Sequence, residues 1–131
     1  MIEAASTLTS EKAVALFEKF GIYTKAELES REEIIYETYA KTINIEALTM
    51  IDMAGKQIIP AVVKYTKTLA DTANAIKAAG GDASVQTELL ADVSTKLAAM
   101  QKELNKLVAD EKEASAMEDV KAQAFLSLIH I

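Results

Sequence analysis

The segment from Thr42 to Ala79 places apolar or small side chains along one face of a long helix. These residues recur in steps of three and four until Leu69, after which one step of seven follows; they are Leu48, Ile51, Gly55, Ile58, Val62, Tyr65, Leu69 and Ile76. Such spacing is typical of an α-helix with one buried face. Pro60 lies inside this segment. Because proline cannot donate a backbone hydrogen bond, we expect a kink or a helix break between Lys56 and Pro60.

A second apolar stripe follows the strongest turn signal of the chain, Gly80-Gly81-Asp82. Its steps alternate between three and four, as in a heptad pattern, and its members are Leu90, Val93, Leu97, Met100, Leu104 and Leu107. Two long stripes joined by a short glycine turn predict an antiparallel hairpin of helices. The sequence therefore predicts an all-α fold, an antiparallel helical bundle built on a long kinked helical hairpin.

Local motifs mark the ends of the other helices. Thr9 or Ser10 is expected to cap a helix over 11–20, and Gly21 suits its C-terminal stop. Thr24-Lys-Ala-Glu27 and Ser115-Ala-Met-Glu118 both match the capping box, in which a hydroxyl and a carboxylate satisfy free backbone amides. The second box predicts a last helix from about Met117 to Leu128. The apolar stripe weakens between Thr38 and Asn44, where we expect either a continuous helix or a bend.

Composition limits the function classes. Half of the 131 residues are apolar and 26% are charged, which is typical of one globular domain. The net charge of −6 argues against nucleic acid and against an anionic membrane surface as partners. The chain has no cysteine, so it forms no disulfide. We find no apolar run of membrane-spanning length and no signal peptide, and we expect a cytoplasmic protein.

The sequence offers little catalytic chemistry. His130 is the only histidine and is the penultimate residue, where neither a rigid setting nor a partner is expected. The carboxylate pairs Glu29–Glu33 and Glu33–Glu37 lack the inward-facing Glu-x-x-His motifs of a di-iron bundle, so we interpret them as a solvated acidic face. Gly80-Gly81-Asp82 is interpreted as a turn, because no phosphate-binding motif surrounds it. We predict no catalytic, cofactor-binding or metal-binding residue in this chain.

Some residues allow two interpretations. Asp52 is either a buried polar group or, as we favour, an exposed flank of the stripe. Met50, Met53 and Met100 suit an adaptable binding surface, but methionines at helical spacing more often belong to a core. Thr42 and Asn44 either cap a bend or contact something outside the chain. The heptad stripe either packs within the chain or forms a homodimer with a second copy.

The amino-acid sequence of several blocks resembles the C-terminal region of type III glutamine synthetases. The most specific block is Lys41–Ala54, Lys-Thr-Ile-Asn-Ile-Glu-Ala-Leu-Thr-Met-Ile-Asp-Met-Ala. The other blocks occur in the same order as in that family, and they are Ser10–Gly21, Ala26–Arg31, Ile58–Val62, Ala83–Gln86 and Glu113–Val120. The resemblance covers residues 10–123. Residues 124–131 depart from the family pattern and are a candidate non-native tail, while residues 1–9 are expected to form a connector to a single helical domain.

The resemblance implies that the chain is a fragment of a larger enzyme. Members of that family are ATP- and magnesium-dependent ligases that join glutamate and ammonia through a γ-glutamyl phosphate, and they assemble as dodecamers of two hexameric rings. Their metal, nucleotide and glutamate sites lie upstream of this region, so the resemblance implies no catalytic residue and no cofactor here. The partners that it implies are the catalytic region of the same parent chain and neighbouring subunits.

Two hypotheses about function follow. The first is a non-catalytic C-terminal helical domain of a type III glutamine synthetase, acting in subunit packing or regulation. The alternative is a free-standing helical adaptor or coiled-coil module that binds a partner helix. A small metal-dependent helical enzyme is a third class, which the lack of histidines disfavours.

Overall fold

The computed structural model describes residues 2–130 of the chain, with side chains described over 4–127. The described residues form helices and turns and contain no β-strand, which confirms the all-α prediction. The helices, in chain order, are α1 (Ile2–Ala5), α2 (Glu11–Lys19), α3 (Lys25–Met53), a π-helical turn (Ala54–Ile58), α4 (Ile59–Ala78), α5 (Ser84–Ser115) and α6 (Val120–His130).

The chain forms two compact units. The first unit contains Met1–Ala47 together with Ala109–Ile131, and the second unit contains Leu48–Val108. The antiparallel pairing in the hairpin stays a prediction, as does the single domain with its connector and tail. The helix α3 passes through Thr42 and Asn44 without interruption, so the continuous helix is the correct one of the two expectations for that region.

The local end signals behave as predicted. Ser10 caps α2, since its side chain accepts a hydrogen bond from the backbone N–H of Ala13. Gly21 follows that helix with a φ of 62°, a left-handed conformation that glycine adopts without strain. The capping box before α3 is reciprocal: the backbone N–H of Thr24 donates to Glu27 Oε2 at 2.7 Å, and the backbone N–H of Glu27 donates to Thr24 Oγ1 at 3.4 Å.

The core of the first unit combines one aromatic residue with several alanines. Ala5, Tyr36, Ala40 and Ala124 are all buried and pack together. Four partly buried apolar residues surround this cluster, and they are Ile35, Tyr39, Val120 and Phe125. Alanine lets helix backbones approach closely, so α1 and α6 can both pack on the same part of α3. Residues 2–5 of the expected connector therefore form a helix, and Ala5 together with residues 124–125 of the candidate tail contributes to the core.

Pro60 is accommodated by the π-helical turn that precedes α4. The backbone N–H of Ile59 donates to the carbonyl of Ala54, five residues earlier, instead of to the residue four earlier. Pro60 is then the second residue of α4, where proline's missing N–H is tolerated. The expected break between Lys56 and Pro60 is thus a widened turn, which is a known cause of irregularity in long helices.

The prediction of the first apolar stripe is only partly correct. Ile51, Val62, Leu69 and Ile76 are shielded from solvent as predicted. Four predicted members are exposed: Leu48, Gly55, Ile58 and Tyr65. The shielded positions between residues 51 and 76 are instead Ile51, Ala54, Ile59, Val62, Thr66, Leu69, Ala70, Ala73 and Ile76.

For the predicted members from Gly55 onward, the physical reason for this difference is the π-helical turn. If Ala70 is counted with its neighbour Leu69, the shielded positions follow each other in steps of three, five, three, four, three, four and three. The single step of five, from Ala54 to Ile59, spans the turn. A π-helical turn contains one residue more than the regular α-helix, so the face after it is displaced by one position.

The second stripe is confirmed on α5. Between Val85 and Ala109 the half-buried positions are Gln86, Leu90, Val93, Leu97, Met100, Leu104 and Leu107, while the residues between them are exposed. The turn before α5 contains Gly80 with a φ of 81° and Gly81, whose backbone N–H donates to the carbonyl of Ile76 at 2.9 Å. A Cβ atom on Gly81 would lie 2.9 Å from Cγ2 of Ile76, so a larger residue here would force Ile76 to shift.

The predicted second capping box is wrong. Ser115 is the last residue of α5, which continues through the charged residues 110–113, and α6 begins at Val120. Asp119 caps α6, since its Oδ1 accepts hydrogen bonds from the backbone N–H groups of Lys121 at 2.9 Å and Ala122 at 3.2 Å. An aspartate directly before the helix satisfies the free amides better than a serine that is already part of the previous helix.

We expect Asp119→Ala to lower the free energy of unfolding by about 1 kcal/mol, because it removes the cap of α6. The neighbouring Glu118→Ala is the matched control and should change the stability by less than about 0.5 kcal/mol. Urea denaturation followed by circular dichroism measures both. Equal effects of the two substitutions would contradict the capping role of Asp119.

Candidate functional site

Glu32 connects three segments of the first unit. Its Oε2 accepts a hydrogen bond from the hydroxyl of Thr9 at 2.6 Å, and its Oε1 accepts one from the hydroxyl of Tyr36 at 2.7 Å. The ammonium group of Lys121 lies 3.7 Å from the same Oε1, and it also lies 5.4 Å from the centre of the Tyr36 ring. Only 12% of the Glu32 side chain is exposed. One carboxylate on α3 therefore binds the loop before α2 and the start of α6.

The titration of this cluster follows from its contacts. Partial burial raises the pKa of Glu32, but the hydrogen bonds from Thr9 and Tyr36 and the charge of Lys121 outweigh burial, so the pKa is lowered overall. Burial, followed by the hydrogen bond to Glu32 and its negative charge, raises the pKa of Tyr36 to about 12. At neutral pH the cluster therefore contains a carboxylate and a phenol, which suits a structural hydrogen bond.

Asn44 joins a second polar cluster within the first unit. Its amide Nδ2 donates to Glu111 Oε1 and to Ser115 Oγ, both at 3.0 Å. The hydroxyl of Ser115 in turn donates to Glu111 Oε1 at 2.7 Å, which closes a triangle between α3 and α5. Asn44 therefore does not cap a bend, because α3 is continuous there. Its polar partners lie on α5 of the same chain and not in a group outside the chain.

An acidic cleft of about 340 Å³ lies beside the Glu32 cluster. Its lining residues are Glu29, Glu32, Glu33, Tyr36, Glu118, Asp119, Val120 and Lys121. Glu29 and Glu33 are exposed, and so is Glu37, as expected of a solvated acidic face. Among the side chains that the structure describes, no group of three or more His, Cys, Asp or Glu residues is placed to hold a metal ion.

An apolar cleft of about 440 Å³ lies on another face of α3 in the same unit. It is lined by Ile34, Ile35, Thr38, Tyr39, Thr42 and Ile43. Ile35 and Tyr39 also pack against the buried core, whereas 55% of Ile34 is exposed. Because these side chains belong to one regular helix, the cleft is a fixed apolar surface.

The structure assigns the remaining singled-out residues to simple roles. Asp52 is exposed and pairs with Lys56, which confirms its interpretation as an exposed flank of the stripe. Met50 and Met53 are exposed, at 47% and 46%, so the core interpretation is wrong for both, whereas Met100 lies on the half-buried face of α5. The side chain of His130 lies outside the described residues.

Sequence reasoning missed the Glu32 cluster. The only signal in the sequence was the spacing of four between Glu32 and Tyr36, which places both side chains on one helix face. Thr9 lies 23 residues away in the chain, and no pattern links such distant residues. The absence of catalytic, cofactor-binding and metal-binding residues stays a prediction.

The described part of the chain is an all-α domain whose polar clusters join helices to one another. No helix within it is long and apolar enough to span a bilayer. A family model described as the glutamine synthetase C-terminal domain matches residues 1–77. The chain belongs to this family.

Two relatives support this assignment. The chain is 36% identical over 110 residues to a glutamine synthetase of Butyrivibrio fibrisolvens, a match covering 82% of this chain and 16% of the relative. It is 39% identical over 74 residues to a type-3 glutamine synthetase of Dictyostelium discoideum, covering 56% of this chain and 10% of the relative. The chain thus corresponds to a small part of both relatives. No solved structure shows significant similarity to it.

We expect Glu32→Ala to lower the free energy of unfolding by about 1–3 kcal/mol, because it leaves the buried Tyr36 hydroxyl without its acceptor. Glu33→Ala removes an exposed carboxylate from the next position and is the matched control, with an expected change below about 0.5 kcal/mol. Urea denaturation of both variants tests this. A loss for Glu32→Ala no larger than for its neighbour would contradict the connecting role of Glu32.

The raised pKa of Tyr36 predicts a loss of stability at alkaline pH. Its unfolded value of about 10 lies below the folded value of about 12, so the contribution of Tyr36 is complete below pH 10 and is lost as the pH rises through 12. The difference in free energy of unfolding between the native chain and Tyr36→Phe should therefore decrease from about pH 9 to about pH 11.5 in urea denaturation. A constant difference over this range would contradict the raised pKa.

Proposed function

We propose that this chain is a non-catalytic C-terminal helical domain of a type III glutamine synthetase, and that it packs against the rest of its parent enzyme. The membership in the glutamine synthetase C-terminal domain family carries the proposal. The match to only 16% of one relative's length further supports it, because most of such a protein lies outside the matched region. In this proposal the parent is a cytoplasmic ligase that joins glutamate and ammonia and uses ATP and magnesium bound elsewhere.

The apolar cleft on α3 is the surface that we assign to this packing. Its exposed members, such as Ile34, are not needed by the core of the first unit, which Ala5, Tyr36, Ala40 and Ala124 form. An apolar surface on a rigid helix gains free energy when a partner covers it. We place the catalytic region of the parent chain or a neighbouring subunit over this cleft, with regulation of the enzyme as a consequence of that contact.

Substitutions in the complete parent enzyme test this proposal. We expect the double variant Ile34→Asp/Thr42→Asp to weaken oligomer assembly in sedimentation velocity and to reduce glutamine formation, because it places two charges in the cleft. Both residues are exposed, so the isolated chain should keep its helical circular dichroism. Ile45→Asp is the control, since Ile45 lies on the same helix and is exposed but does not line the cleft.

Normal assembly and activity of the double variant would contradict the assigned surface. A parent enzyme that assembles and works normally without residues 1–131 would contradict the packing role itself. The adaptor alternative would gain support if the reading frame that encodes this chain lacked a glutamine synthetase catalytic region.

A further inference from the structure

The apolar residues of the second unit are compatible with two orientations of α4 about its own axis, which would bury different residues. In the observed structure Ile59 and Thr66 lie on the shielded face, and their neighbours Ile58 and Tyr65 are 44% and 49% exposed. An α-helix without the π-helical turn would continue from Ile51 through Ile58 and Tyr65 in steps of three and four. The two faces differ by one residue, which is about 100° of rotation.

The large apolar side chains alone do not favour the observed rotation, although the small buried residues Ala54 and Ala73 lie on the observed face only. Val62, Leu69 and Ile76 belong to both faces. The alternative face would replace Ile59 with Ile58, which has the same composition, and Thr66 with Tyr65, which has the larger apolar area. Burying two alanines gains less apolar area than burying Tyr65, so we look for a further constraint that favours the structure with Ile58 and Tyr65 exposed.

Pro60 supplies this constraint. In a continuous α-helix its ring would press on the carbonyl of Lys56 and that carbonyl would lose its hydrogen bond. In the observed structure the helix widens directly before Pro60, and the N–H of Ile59 bonds to Ala54 across the π-helical turn. The proline thus accompanies the π-helical turn, whereas in a regular helix it would cost about 3 kcal/mol.

We infer that Pro60 selects the rotation of α4 by holding the π-helical turn in place. Without the proline, the turn between Ala54 and Ile58 becomes regular α-helix, and α4 rotates until Ile58 and Tyr65 face inward. Residues 54–58 can thus adopt either a π-helical turn or a regular α-helix. The observed π-helical turn leaves Ile58 and Tyr65 exposed on the second unit.

Thiol labelling tests this inference, because the native chain has no cysteine that would interfere. Tyr65→Cys and Thr66→Cys are made separately, each with Pro60 and with Pro60→Ala, and the rates of alkylation by N-ethylmaleimide are compared. With Pro60, Tyr65→Cys should react about threefold faster than Thr66→Cys, because access controls the rate. With Pro60→Ala the order should reverse. Val93→Cys and Ser94→Cys on α5 form the control pair, whose ratio should not change.

An unchanged ratio between Tyr65→Cys and Thr66→Cys after Pro60→Ala would overturn the inference, provided that the helical circular dichroism is retained. A second variant covers the case in which that signal is lost. It combines Pro60→Ala with deletion of Gly55, which removes the additional residue of the turn and places Ile59 four positions after Ala54. The original order, with Tyr65→Cys faster, should then return, and any other order would overturn the inference.

Discussion

The phase of the apolar face along the second unit determines which side chains this domain shows to its surroundings. A long helix keeps one face against its neighbours only while its apolar residues recur near 3.6 positions. The π-helical turn at Ala54–Ile58 adds one residue to this repeat, and Pro60 lies two positions after it. The exposure of Ile58 and Tyr65 follows from this single local event, although both would suit a core by composition.

The features that the sequence predicts well depend on neighbouring residues. Ser10, Gly21 and the pair Thr24 and Glu27 act within three or four positions, so their chemistry can be recognised from the sequence alone. The heptad stripe of α5 is also correct, because nothing interrupts its period. The predicted capping box at Ser115 fails since a local motif does not show whether the preceding helix has already ended.

The features that the sequence does not predict depend on distant residues or on a change of phase. Periodicity shows that the segment around Pro60 is apolar on one side, but it does not show where a widened turn adds a residue. The acceptor role of Glu32 depends on Thr9 and Lys121, and the contacts of Asn44 depend on Glu111 and a serine of α5. The resemblance to the family rests on the residues of blocks such as 41–54, which composition and periodicity do not encode.

The two polar clusters explain why α3 can carry an apolar cleft without losing its position. The Glu32 carboxylate holds the start of α6 and the loop before α2, and the Asn44 amide holds the end of α5, each through charged or amide groups with little freedom. The outer side of the apolar residues between Glu32 and Asn44 is therefore not required for packing within the first unit. In the proposed function, a helix fixed by polar bonds on some faces and left apolar on another would serve as a preorganised docking element, since a partner would gain the buried area without ordering the helix first.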